Sequence, residues 1–214
     1  TINYSDGFNT IDEMVIQAGK VWLKKIAITD HSSHHTKINW IGRKSFRVKT
    51  WWIRRQNIHN DVEVEFGVEW DVLNSQWDVC LDILWTKWSF TLLSMHSSVF
   101  TDIENATQAF INAIEKHHDK IDTLGHPDIN RFTTFLDMKK VVDCCNAHNL
   151  PMEFNCANLI NWKTDLHACK IMLENIDRMY INSDSHTLYE LATVRKKWIS
   201  WLIEKGYLEE KYRI

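Results

Sequence analysis

Asp184 and His186 stand one residue apart at the end of the stretch Met-Tyr-Ile-Asn-Ser-Asp-Ser-His, and Asp30 stands directly before His31. A carboxylate and an imidazole brought together suit two kinds of chemistry, the binding of a metal ion and the transfer of a proton. The apolar run 179–181 precedes the first pair and has the length of a buried strand. If strand geometry continued through Asp184 and His186, its two-residue period would send both side chains to one side. Any single buried strand can end in polar residues where a loop begins, so the argument rests on repetition. Run 25–29 leads into Asp30 and His31, 64–68 into Glu69, 91–95 into His96, 121–125 into His126, and 152–154 into Asn155. Each run closes on a residue able to hold a metal or carry a proton.

The elements that must position these residues follow from the same spacing. Stretches of helical length and amphipathic pattern separate most of the runs, and a strand–helix alternation implies a parallel sheet. Closing that sheet into a barrel gathers every strand C-terminus at one mouth. Thr10-Ile11-Asp12-Glu13 and Thr101-Asp102-Ile103-Glu104 spell capping boxes at two helix starts, and Asp137 can cap a third. The buried faces are expected at Ile11, Met14, Val15, Ala18 and Trp22; at Ile103, Ala106, Phe110, Ala113 and Ile114; at Met138, Val141, Val142 and Cys145; and at Leu188, Leu191, Val194, Trp198 and Leu202. Trp70, Trp77, Trp85 and Trp88 read as core and loop packing.

Length and composition describe one globular domain over residues 1–214: 44% of residues are hydrophobic, the net charge is -3, and six glycines and two prolines leave no linker-like stretch. No apolar run is long enough to span a bilayer, which argues against a membrane partner. The five cysteines, odd in number and without a Cys-x-x-Cys pair, point to reduced thiols and a cytoplasmic protein. Charge is unevenly spread. Residues 32–60 contain no acidic residue and seven basic ones, Lys37, Arg43, Lys44, Arg47, Lys49, Arg54 and Arg55, with Trp40, Trp51 and Trp52 between them. Such a tract could draw in a phosphorylated small molecule or, with its aromatic residues, nucleic acid. Arg43 is a candidate substrate contact there. Arg131, five residues past His126, is another, since its planar fork can grip two phosphate oxygens.

The motifs Ser5-Asp6-Gly7, Thr29-Asp30-His31, Gly67-Val68-Glu69, Met95-His96-Ser97, Gly125-His126-Pro127 and Ser183-Asp184-Ser185-His186 occur in an order that resembles the PHP (polymerase and histidinol phosphatase) family of metal-dependent phosphoesterases. Gly-Val-Glu-Trp-Asp at 67–71 and Arg-Lys-Lys-Trp at 195–198 are closest in flavour to the PHP domains of bacterial family-X DNA polymerases and their stand-alone relatives. The resemblance implies an α/β fold, a distorted (β/α)7 TIM-like barrel. It also implies two to three divalent transition metal ions, zinc, manganese or iron. Glu69, His96 and His126 would hold one ion, and Asp6, His31 and His186 another. Asp184 and Glu69 would serve a third. Asp30, Glu69 and Asp184 are the expected catalytic carboxylates, and Asn155 joins Arg131 and Arg43 as a substrate contact. The family's opening His-x-His has no counterpart ahead of Thr1, so the expectation is an N-terminally truncated domain whose first strand is missing. The implied activity is hydrolysis of a phosphomonoester by an activated water, as in histidinol phosphatases. A 3'-5' exonuclease and a degenerate, non-catalytic domain are the alternatives.

Overall fold

A computed structural model describes residues 1–2, 4–38, 56–80 and 88–209. Arg43 and its basic neighbours Lys44, Arg47, Lys49, Arg54 and Arg55, together with Trp40, Trp51, Trp52 and Trp85, lie outside the described residues.

All six anticipated runs are strands. The sheet runs in the order β1 (Lys25–His31), β2 (Glu63–Val72), β4 (Phe90–Ser94), β5 (Thr123–Leu124), β6 (Met152–Asn155) and β7 (Met179–Asn182). Every neighbouring pair along that path is parallel. Near-continuous burial along β2, β4 and β6 is what a parallel sheet covered by helices requires. A seventh strand, β3 (Val79–Cys80), was not legible in the sequence and pairs antiparallel with the end of β2.

Helices α1 (Ile11–Lys20), α2 (Ser33–Ile38), α3 (Ala106–His117), α4 (Asn130–Thr133), α5 (Met138–Ala147), α6 (Cys156–Ile160), α7 (Leu166–Asn175) and α8 (Leu188–Glu204) are interspersed with the strands. Thr10 and Glu13 form the expected capping box of α1, and Asp137 accepts the Lys140 amide at the start of α5. The second expected box does not form. Asp102 heads a 3-10 turn, Ile103–Asn105, and its carboxylate takes hydrogen bonds from the Asn105 side chain at 2.9 and 3.1 Å in place of the helix amides. An unforeseen box, Thr187 with Glu190, opens α8.

The anticipated helix faces form two cores, except that Trp22 lies past the end of α1 in a left-handed conformation and is 89% exposed. Phe110, Ile114, Val141, Val142, Leu93, Met152 and Phe154 belong to the larger, with Trp198 packed against it. Met14, Val15 and Ala18 of α1 meet Ile26 and Ile28 of β1 and Leu191 of α8 in the smaller. That second core fixes the shape of the sheet. α1 precedes the first edge strand and α8 follows the last, and their apolar contact draws the edges round toward each other. The result is a curled half-barrel with six parallel strands, and among the described residues β1 and β7 do not pair. This is consistent with the distorted TIM-like barrel expected from the sequence, of which these residues form a half-barrel.

The turn ahead of α1 straddles the two edges. The Thr1 hydroxyl donates to Asp30 of β1 at 2.9 Å, Ser5 Oγ accepts the His31 amide at 3.4 Å, and the Phe8 amide donates to the His186 carbonyl at 2.8 Å. Asp6 is thereby held between the ends of β1 and β7.

Gly67 sits where strands crowd beneath Glu69. A Cβ there would lie 2.7 Å from the Phe90 carbonyl oxygen and 2.7 Å from Thr29 Cγ2. Neither the backbone of a central strand nor a β-branched side chain yields easily. Gly67→Ala is expected to destabilise the protein by about 1–3 kcal/mol, the usual cost of overpacking. Urea unfolding checks this, and a midpoint equal to wild type would show that β2 and β4 can separate locally.

Candidate metal centre

Glu69 lies inside β2, not at its end, and is buried with only 7% of its surface exposed. Three imidazoles converge on its carboxylate. His31, opposite Glu69 in the β1–β2 register, brings Nδ1 to 2.9 Å from Oε2. His126 Nε2 lies 2.9 Å and His96 Nε2 3.3 Å from Oε1. Beside them, Asp6 Oδ1 stands 3.7 Å from His31 Nε2 and 3.4 Å from His186 Nε2.

Local backbone geometry explains the convergence. His96 and His126 each sit two residues beyond a strand end, and His126 has a φ of +26°. β7 stops at Asn182, so strand alternation does not carry through to Asp184 and His186 as expected. A left-handed residue, Asp184 with φ +46°, turns the chain, and His186 Nδ1 comes to 3.1 Å from the Asp184 carbonyl. The two residues meet through a turn, which aspartate tolerates better than most side chains.

A buried network holds the far side. Glu153 Oε2 accepts the His126 amide at 3.1 Å and the Asn155 side-chain amide at 3.2 Å, while Oε1 accepts Asn182 at 2.8 Å. The Asn155 amide also donates to Asp184 Oδ2 at 3.0 Å, and its oxygen caps α6 by accepting the Asn158 amide. Asn155, expected to touch substrate, is thus committed on both ends to protein partners and steadies Asp184. Asp30 is buried and bonded to Thr1. Arg131 is exposed on α4 and is not among the residues lining the central cavity. That cavity, about 1040 Å³, follows the strands from Lys25 and Glu65 at one end to His31, Glu69, His126, Asp184 and His186 at the other.

Charge coupling matches the geometry. Burial opposes ionisation of Glu69, but His31, His96 and His126 outweigh it and hold the carboxyl well below its usual range. Burial likewise works against a charged His126, yet Glu69 pushes it up to about 9. Asp6 raises His186 to about 9, and the His186 and His31 imidazoles hold Asp6 down despite partial desolvation. Glu153, with no cation bonded directly to it, is raised to about 7 by burial.

The side chains fit a transition metal. Glu69, His96 and His126 form one group whose ligand atoms lie within 4.8 Å of one another, and Asp6, His31 and His186 form a second. Metal–ligand bonds of about 2.0–2.2 Å in a tetrahedral site put neighbouring ligand atoms roughly 3.3–3.6 Å apart, close to the spacings seen here. Mixed imidazole and carboxylate donors suit zinc, manganese or iron better than calcium or magnesium.

Three residues that the sequence reading passed over belong to this centre. His35 of α2 is buried and stacks on His31 with ring centroids 3.8 Å apart. Glu153 shares a strand face with Asn155, and Asp71 shares one with Glu69. The two-residue period was therefore a signal available for both carboxylates.

No family model matches the chain. It is 23% identical over 205 residues to a probable phosphatase of Thermoanaerobacter sp. strain X514, covering 90% of this chain and 78% of that one. A probable phosphatase of Escherichia fergusonii is 22% identical over 206 residues, with the same coverages of 90% and 78%. The fold is similar to that of histidinol phosphate phosphatase from Lactococcus lactis, solved with zinc, L-histidinol and phosphate. The TM-score is 0.53 at 12% identity, covering 92% of this chain and 90% of that one.

The raised histidines set a pH dependence for protein stripped of metal by a chelator. His126 folds with a pKa of about 9 against 6.5 unfolded, so its contribution is complete below pH 6.5 and lost as pH rises through 9. His186 acts in the same sense. The Tm of the stripped protein should therefore fall between pH 6.5 and 9, and fall less in His126→Gln. Added zinc should stabilise more at the upper pH, where it displaces fewer protons. A flat Tm across this interval in stripped wild type would contradict the assigned contacts.

Proposed function

We propose that this chain is a metal-dependent phosphomonoesterase of the PHP type. The observation that carries the reading is the pair of adjoining carboxylate–imidazole clusters, joined through the His31–Glu69 contact at one end of the half-barrel cavity. Similarity to proteins named probable phosphatases, and the fold shared with a histidinol phosphate phosphatase, support it. The histidinol and phosphate held by that neighbour make a phosphorylated amino alcohol or a similar small molecule the substrate class to try first.

In this reading Glu69, His96 and His126 hold one divalent ion, Asp6, His31 and His186 a second, and Asp184 with Glu69 a third. Such ions lower the pKa of water and neutralise the charge that develops on phosphate oxygens. The protein's own groups do the remainder. Water attacks phosphorus, the P–O ester bond breaks, and the water's proton passes to a carboxylate and then to the departing alcohol. Asp184, steadied by Asn155, and the buried Asp30 are the proposed proton carriers beside Glu69. A contact at Arg131 requires a substrate that reaches beyond the cavity. The polymerase-associated flavour rests on residues 67–71 and 195–198, and the basic tract around Arg43 with its tryptophans is the feature favouring an exonuclease. Among the described residues no helix is long and apolar enough to cross a membrane.

Purified protein should retain at least one transition metal per chain by elemental analysis, and His126→Ala should lose it. Wild type should hydrolyse p-nitrophenyl phosphate or an amino-alcohol phosphate with weak salt dependence, and Glu69→Gln should be inactive. Salt-sensitive release of nucleotides from a single-stranded oligonucleotide, with negligible monoesterase turnover, would favour the exonuclease. Metal retention without either activity would point to a binding-only domain.

Arg131 has its own test. If it grips substrate, Arg131→Ala should lower kcat/KM by roughly tenfold, about 1.4 kcal/mol of transition-state stabilisation, and lysine should restore only part. Unchanged kinetics would return the residue to the surface.

A further inference from the structure

Asp71 is fully buried, two residues past Glu69 on the same face of β2. β2 stays extended through this position because Asp71 pairs with Ser94 of β4 on one side and with Cys80 of β3 on the other. One carboxylate oxygen, Oδ1, lies 2.6 Å from His96 Nδ1. The other accepts the hydroxyl of Ser32, itself completely buried, whose amide donates to the Glu69 carbonyl at 2.9 Å. The chain Ser32–Asp71–His96 thus ties the end of β1 to β2 and to the loop after β4.

The other two imidazoles around Glu69 are held differently. His31 turns both ring nitrogens toward carboxylates of the candidate centre, Glu69 and Asp6. His126 Nδ1 is buried and, among the described residues, has no hydrogen-bond partner. Of the three, only His96 fastens its second nitrogen to a carboxylate outside the two candidate ligand groups. A carboxylate accepts and cannot donate, so it selects the Nδ1–H form and leaves the Nε2 lone pair directed at the centre. A carboxylate partner of this kind also makes the imidazole a stronger donor to a cation.

We infer that Asp71, steadied by Ser32, is a positioning residue that sets the tautomer, orientation and basicity of His96 as a metal ligand. The inference rests on the metal-binding reading above and adds a residue to it that touches neither ion nor substrate. Asn is close to Asp in shape and preserves the packing. It offers His96 either a neutral acceptor or an N–H that selects the wrong tautomer, and both weaken Nε2 as a ligand.

The experiment compares zinc-loaded wild type, Asp71→Asn and Ser32→Ala, all labelled with ¹⁵N-histidine. Zinc affinity comes from competition with a chromophoric chelator, and the His96 Nδ1 proton and nitrogen shifts report the ring. Asp71→Asn should bind zinc roughly 10–100-fold more weakly, as loss of such a partner does elsewhere, and the His96 Nδ1–H resonance should shift or vanish. Its melting temperature after chelation should stay near that of stripped wild type, which a purely structural role would not allow. Ser32→Ala should weaken zinc by roughly two- to tenfold, the worth of one hydrogen bond. It carries the test if Asp71→Asn does not fold. Wild-type affinity and an unchanged His96 resonance in the folded variants would overturn the positioning role while leaving the metal centre standing. Failure of wild type itself to bind zinc, manganese or iron would overturn both.

Discussion

The organisation of this molecule turns on one buried carboxylate. Glu69 sits within a central strand with 7% of its surface exposed, where an unpaired negative charge would cost several kcal/mol. It is made tolerable by His31, His96 and His126, which arrive from the ends of three different strands. Compensation of this kind demands that separate strand ends be brought to one point. A flat sheet cannot do so, because β1 and β5 would stand apart with β2 and β4 between them. Curling the sheet is therefore part of the same requirement as burying the charge.

Apolar packing supplies that curl at a distance from the site. Met14 and Val15 on α1 and Leu191 on α8 share one small core with Ile26 and Ile28, so the helices flanking the sheet's two edges are drawn together. The N-terminal turn then spans the narrowed opening, with Asp6 between His31 and His186. Around the first layer of side chains lies a second of buried hydrogen bonds. Glu153 and Asn155 hold the His126 amide and Asp184 on one flank, and Asp71 and Ser32 hold His96 on the other. Side chains with several polar partners in a buried setting have few alternative orientations. The centre is consequently preorganised by the protein itself.

Much of this was legible in the chain. Apolar runs of strand length, each closing on a ligand-capable residue, located all six parallel strands, and capping residues at Thr10 and Asp137 marked two helix starts. Where the reading failed, a competing local contact decided the outcome. Asn105 takes the Asp102 carboxylate and replaces a capping box with a 3-10 turn. The sequence places Glu69 at a strand terminus, but pairing with β4 through Asp71 and with β3 through Val72 carries β2 three residues further.

What the sequence by itself determined is the order of strands and helices, the apolar faces, and the residue types available at each strand end. These depend on periodicity and on local capping, which act over a few residues. Only the tertiary structure decided which of those residues meet. Whether Asp184 and His186 converge depends on a left-handed residue after β7, not on strand alternation. Asn155 turned out to be spoken for by Glu153, Asp184 and Asn158, and Arg131 to lie away from the cavity. Asp71 acquired its place beside His96 because β4 on one side and the short antiparallel β3 on the other keep β2 extended through it. The bonds of His96 to Asp71 and of Asn155 to Asp184 join residues 25 and 29 apart, and no window of sequence short enough to show periodicity contains both partners.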